Sequence, residues 1–218
     1  MLTFDLETLP SDNPEVIKRI AATIKPPGNI KKSDSIKTWM DENYDAALKE
    51  AVSKTALDGA YGRVACIAWK IGCDTYNTVK EMSEREVINS FYHDVDGGYF
   101  DSFCGHNIVN FDLPFLLHRS MILGIKPPAQ IMKAMLAKPW DDCIKDTMIM
   151  WTGSPNKYMK LDTLLWLFGI DHGHPDFDGS MVAETWETDP QKVIDYCADD
   201  VQATYELYQK MTFGDKVF

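Results

Sequence analysis

The first eight residues restrict the fold more than any other part of the chain. Leu2, Phe4 and Leu6 alternate with Thr3, Asp5 and Glu7, the two-residue period of a β-strand with one apolar face. On such a strand Asp5 and Glu7 leave one face while Phe4 and Leu6 enter the core. Two carboxylates side by side repel unless a divalent cation neutralises them, and oxygen-only ligands suit magnesium or manganese rather than zinc. A D-x-E pair is also common on solvated strand faces, so alone it carries little.

The rest of the chain predicts an α/β mixed sheet flanked by helices, in one domain over residues 1–218. Residues 9–57 read as a helical insertion, punctuated by Pro10, Pro14, Pro26, Pro27 and Gly28, with helical pieces near 15–24 and 35–52. Further strands are expected at Arg63–Ile71, within Asn77–Lys80, at Tyr99–Cys104 and at Asp146–Trp151. Helices are expected at Ser83–Tyr92, where Ser83 and Glu86 form a capping box, at Pro114–Leu123 before Gly124, and at Leu161–Phe168 before Gly169. A last helix opens at Asp189-Pro190 and runs to about Met211.

Five widely spaced cysteines without a C-x-x-C pair argue against a disulfide framework or zinc ribbon and for a reducing compartment. The N-terminus lacks a secretory pattern and no apolar run is long enough to span a bilayer, so no membrane association is expected. The net charge of −11 over 218 residues speaks against a nucleic-acid binder. The charge is unevenly spread, however: residues 14–57 are net +2, 118–160 net +4 and 161–218 net −9. Six bases between Lys18 and Lys37 stand against Asp34 alone, a candidate grip for single strands.

Three further acidic or phenolic positions matter. Asp112 falls just before a helix, where an Asp singly reads as the N-cap. Tyr196 and Asp200 are four apart on the last helix and so share a face, while Asp195 and Asp199 are expected to be solvated. Together with Asp5 and Glu7 they supply what two-metal phosphodiester hydrolysis requires: several acids converging on two cations, with a group to orient the attacking water.

The segments FDLET (Phe4–Thr8), GHNIVNFDLPFLL (Gly105–Leu117) and DYCADDVQATYEL (Asp195–Leu207) resemble the DnaQ-like 3′–5′ exonucleases of the tyrosine-bearing DEDD subclass, with their RNase H-like fold. They are most similar to the proofreading domain of B-family DNA polymerases and its stand-alone bacterial and phage relatives, as are KLDTLLWLFGI (Lys160–Ile170) and FDGSMV (Phe177–Val182). The resemblance covers residues 1–8 and 63–211 and leaves the insertion outside. It implies that Asp5, Glu7 and Asp200 bind a first magnesium or manganese ion, that Asp5 bridges to a second, and that Asp112 holds the second through water. It implies that Tyr196 with Glu7 orients the water, since a phenol near pKa 10 stays protonated. It implies further that Thr8 and Leu9 lie beside the terminal nucleotide, and that Asn107 and Phe111 support or stack on the displaced end. The other subclass places a His one position further from its Asp; position 195 is Asp, so Tyr196 is the residue that fits.

The expected function is therefore metal-dependent release of nucleoside 5′-monophosphates from single-stranded DNA or DNA 3′ ends, in replication, repair or proofreading. A bacterial or phage-infected cytoplasm is the expected setting. The length leaves no room for a polymerase domain, so a free-standing nuclease and a subunit serving a polymerase or other replication protein both stay open. So do an RNA-directed exonuclease of the same fold and a non-catalytic module that binds nucleic-acid ends. The loop His172-Gly173-His174-Pro175-Asp176 lacks a third ligand for zinc, and Asp176–Met181 lacks the glycine of a calcium loop. His106 is explained equally by packing or hydrogen bonding, and the six tryptophans are expected in the core or at interfaces.

Overall fold

Leu2, Phe4 and Leu6 carry the first strand into the centre of a sheet. In the structure, a computed structural model that describes residues 1–138, 140–171, 173–174 and 176–214, β1 (Leu2–Leu9) pairs antiparallel with β2 (Arg63–Ile71), which pairs with β3 (Asp74–Asn77). On its other side β1 runs parallel to β4 (Phe103–Gly105), and β4 runs parallel to β5 (Ile144–Asp146). The order β3-β2-β1-β4-β5 is the mixed sheet of an RNase H-like exonuclease fold. His172 and Pro175 of the histidine loop lie outside the described residues.

The helices are α1 (Pro14–Ala21), α2 (Ser33–Ser53), α3 (Glu84–Gly97), α4 (Asp112–Leu123), α5 (Ala129–Met135), α6 (Thr147–Thr152), α7 (Leu161–Phe168), α8 (Val182–Thr188) and α9 (Pro190–Met211). The capping box of Ser83 and Glu86 is formed, and Gly124 and Gly169 end their helices in the left-handed conformation. No helix among the described residues is long and apolar enough to cross a membrane.

The two faces of the sheet are packed differently. On one, Leu2, Phe4, Leu6, Ile67 and Trp69 meet α3, α4 and α5 in the larger core. Phe4 anchors it, 5.1 Å from the Phe91 ring and edge-on to Phe103 at 6.3 Å. The other face receives α9 through Val193, Ile194, Cys197 and Val201, and the sheet offers it small side chains, Ala65, Cys66 and Ala68. Ala65 and Cys66 both belong to this face because the β1–β2 register shifts between Glu7 and Thr8. Such a bulge adds a residue to one strand and re-aims its neighbours. The small side chains let α9 approach the strand that carries Asp5 and Glu7.

Several elements depart from expectation. The segment Asp146–Trp151 is strand only as far as Asp146, and Thr147 begins α6. The Asp146 carboxylate accepts from the N–H groups of Met148 and Ile149, so it caps a helix that its apolar sequence disguises as a buried strand. The third strand precedes Lys80, at Asp74–Asn77, since Gly72 at φ +60° turns the chain tightly after β2. The strand expected from Tyr99 starts only at Phe103. Helices α5 and α8 were not expected; Pro128 stands at the N-cap of α5. Of the tryptophans expected in the core or at interfaces, Trp69 is in the core, while Trp140, Trp151 and Trp166 lie on the surface. Trp151 and Trp166 sit on short helices apolar on several sides, which cannot all be covered.

The insertion consists of α1, α2 and a 3-10 turn at Lys54–Leu57. Neither helix buries a residue fully, and Lys18, Arg19, Lys25, Lys31, Lys32 and Lys37 are all exposed. The turn, by contrast, is bound to the end of β1. Thr8 Oγ1 donates to Ala56 O at 2.7 Å, and Ser11 N donates to the hydroxyl of buried Thr55 at 2.8 Å.

A partly buried ion pair joins the helices on the larger core. Arg119 of α4 donates from Nε and Nη2 to the two oxygens of Glu84 on α3, both at 2.8 Å, while Glu84 Oε1 also accepts from Val64 N. Removing the guanidinium leaves a carboxylate with little solvent. Arg119→Met is expected to lower stability by about 3 kcal/mol in urea denaturation, with the geometry around Asp5 and Glu7 kept.

Candidate active site

The strand alternation delivers Asp5 and Glu7 to the α9 face, and α9 delivers Asp200 to meet them. One oxygen from each of the three lies within 4.8 Å of the others. Burial, more than any neighbour, holds the carboxyls of Asp5 and Glu7 well above the usual carboxylate range. For Asp5 the charges of Asp112 and Asp200 add to this, and for Glu7 those of Asp5, Asp200 and Asp112. The thiol of buried Cys197 donates to Asp5 at 3.6 Å, a contact that nothing in the sequence flagged.

Asp112 reaches the same place from the loop after β4. It was read singly as an N-cap; instead Phe111 holds that position without a side-chain cap, and Asp112 is the first helical residue. The shift arises in the loop, where Asn107 adopts φ +67° and its carbonyl accepts from both Asn110 N and Phe111 N. The Asp112 side chain turns inward, 2% exposed, and its Oδ1 has no hydrogen-bond partner among the described residues. Burial pushes its carboxyl up to about 8, against hydrogen bonds from its own backbone and that of Leu6. A buried acid oxygen without a donor, beside three converging acids, fits a hard divalent cation.

Asp146 fixes that loop. Besides capping α6, it accepts from Asn107 N at 3.0 Å and from Val109 N at 3.1 Å. Its N-cap pattern, an Asp before a Thr-Met-Ile run, was the available signal. Gly105 is required here, because a Cβ would come within 1.8 Å of Ile108 Cγ2. His106 is tied into this loop: burial lowers its pKa, Thr147 Oγ1 meets Nδ1, and Nε2 meets the Met159 carbonyl.

Tyr196 lies on α9 with its hydroxyl bonded to Asp200 and its ring edge-on to Phe177 at 4.8 Å. Burial, then Asp200, Glu7 and Asp5, push its phenol far up, so it remains protonated. Asp195 is exposed as expected, but Asp199 is only half-exposed and pairs with His174 Nε2 at 3.2 Å.

Two depressions adjoin the carboxylates. The first, of about 510 Å3, is lined by Asp5, Tyr196 and Asp200 with His106, Lys160 and Ser180. The second, of about 400 Å3, is mostly apolar and lined by Glu7, Thr8, Phe111, Ala56, Leu57 and Ala183. Gly179 and Ser180 line both, which gives a place to the FDGSMV segment. Leu9 is buried in the α9 core rather than in the cleft wall. The Asn107 side chain accepts from Asn110 Nδ2 at 3.1 Å. The contribution of Ala56 and Leu57 was hidden because they end the insertion and carry no motif.

The crowded acids have a measurable consequence without any cation. Raised native pKa values mean that the folded state holds protons which the unfolded chain releases near pH 4. Stability conferred by the protonated forms is therefore lost as pH rises towards 8. In chelator, urea denaturation should show the protein less stable at pH 8 than at pH 5 by roughly 2 kcal/mol or more. Asp112→Asn should reduce that difference, and so should magnesium or manganese.

A search of the curated proteins gives no match. A family model does match, over residues 63–216, a span that includes β2, the Asp112 loop and α9 but not the first strand. With that span aligned and the four acids and Tyr196 gathered as described, the chain belongs to the family of predicted 3′–5′ exonucleases related to the exonuclease domain of PolB.

Proposed function

We propose that the chain is a metal-dependent 3′–5′ exonuclease acting on DNA, with single-stranded 3′ ends as its preferred substrate and nucleoside 5′-monophosphates as its product. The observation that carries this reading is the convergence of Asp5, Glu7 and Asp200 within 4.8 Å, with the unpartnered oxygen of Asp112 in the same electrostatic cluster. Asp5, Glu7 and Asp200 would hold one magnesium or manganese ion, and Asp5 with Asp112 a second. When bound, these cations supply charge stabilisation at the attacking and leaving oxygens of an in-line displacement.

The chain's own groups do the remaining work. Tyr196, a phenol held by Asp200, can offer or accept a hydrogen bond but cannot take a proton for keeps, so with Glu7 it orients the attacking water. Thr8 and Phe111 line the cleft beside Glu7, where the terminal nucleotide would sit, whereas Leu9 packs in the α9 core and the Asn107 side chain is bonded to Asn110. The exposed bases of α1 and α2 offer the strand a path that the net charge conceals. The reading extends to one exonuclease domain over residues 1–218, working in replication, repair or proofreading in a reducing cytoplasm, alone or beside a polymerase. The five free cysteines support that compartment.

Incubating 5′-labelled DNA and RNA strands with the purified protein tests this. Magnesium or manganese should give a ladder shortened from the 3′ end of DNA, abolished by chelator. Faster loss of RNA would redirect the substrate, and intact strands of both kinds would leave only end binding. Asp5→Ala, Asp112→Ala and Asp200→Ala should each lower the rate by about 1,000-fold or more with the fold intact. Tyr196→Phe should keep a rate reduced by about 100-fold or less.

A further inference from the structure

The family match begins at residue 63, yet the wall of the apolar cleft beside Glu7 is completed by residues that precede it. Ser53, Lys54, Ala56 and Leu57 line this cleft together with Glu7, Thr8 and Phe111. Lys54 is engaged with Glu50 at 2.6 Å on the helix surface. The apolar side chain of this group that remains open to solvent is Leu57, 72% exposed.

An exposed leucine on a flexible loop would mean little, but this one is on a turn that cannot easily move. The Thr8 hydroxyl bonds the carbonyl of Ala56, next to Leu57, and the buried Thr55 hydroxyl bonds Ser11 N. Asp58 follows with its N–H bonded to Thr55 O, and its carboxylate accepts from Ala60 N. Gly62 packs so tightly that a Cβ there would lie 2.4 Å from Thr55 O and 3.0 Å from Leu9 O. The turn is thus fastened at several points to the strand end that bears Glu7.

We propose that Leu57, with Phe111 in the same cleft, seats the nucleobase of the 3′-terminal nucleotide; this rests on the exonuclease reading above. A flat apolar ring is the part of a nucleotide that such walls recognise, and contact with its face accepts any base. The cleft is continuous with the carboxylates through Glu7, so a base seated there leaves its own 5′ phosphate near the acids. Leu9, the residue nearest in sequence that could have served, is spent on the α9 core. The insertion therefore contributes a substrate-positioning residue to a site whose acids come from elsewhere.

The test compares two 5′-labelled single strands, one ending in thymidine and one in an abasic tetrahydrofuran nucleotide, with removal of the last residue measured in magnesium. Wild-type protein should prefer the base-bearing end in kcat/KM by about 10-fold or more. In Leu57→Ser that preference should collapse towards unity, mainly through KM, and Leu57→Phe should restore it. Leu136→Ser, at an equally exposed leucine away from the site, should retain the wild-type preference. An unchanged preference in Leu57→Ser, or an equal fall on both strands, would overturn the inference while the exonuclease reading stands. Hydrolysis of neither strand by the wild type would overturn both.

Discussion

Everything near the centre of this protein is arranged around acids that repel one another in a place short of water. Asp5 and Glu7 cannot avoid each other, because their strand is central and its other face is occupied by the aromatic core of Phe4 and Phe91. Asp200 and Asp112 are then added from two different elements. A fold selected for stability alone would have no reason to collect them. The sheet makes room by placing alanine and cysteine opposite α9 and by adding a residue in β2 where Glu7 gives way to Thr8. The larger core on the other face, clamped by Arg119 and Glu84, carries the stability that the acidic side lacks.

Asp146 shows how the positions of the metal-binding candidates depend on an acid of another kind. It is as buried as Asp112, but four backbone N–H groups surround it. It ties the end of β5 to the loop after β4, so that loop is held by a saturated carboxylate while Asp112 at its end keeps one oxygen without a partner among the described residues. Of two buried aspartates, one thus holds the backbone and the other, on the proposed function, faces the reaction.

Much of the site was legible in the sequence because its elements obey local rules. Alternation on β1 places Asp5 and Glu7 together, a four-residue spacing places Tyr196 and Asp200 together, and proline and glycine mark the ends of α7 and α9. The sequence was harder to read where a tertiary contact outweighs local preference. Asp112 looks like a cap until the left-handed Asn107 moves the helix start by one residue. Thr147–Thr152 looks like a strand until Asp146 caps it. The position of Leu57 depends on a turn folding back across 48 residues to Thr8, a pairing that periodicity cannot reveal.

That return contact has a wider consequence. Residues 14–53 begin and end at nearly the same point, since Ser11 and Thr55 are hydrogen-bonded. A segment closed at its base costs chain entropy that grows only with the logarithm of its length, so this one behaves as a cassette. Its helices can be lengthened, shortened or recharged without disturbing the strand end that holds Glu7. If its exposed bases grip a strand as proposed, affinity and its sensitivity to salt can diversify independently of the acidic cluster, with the Lys54–Leu57 turn as the fixed socket.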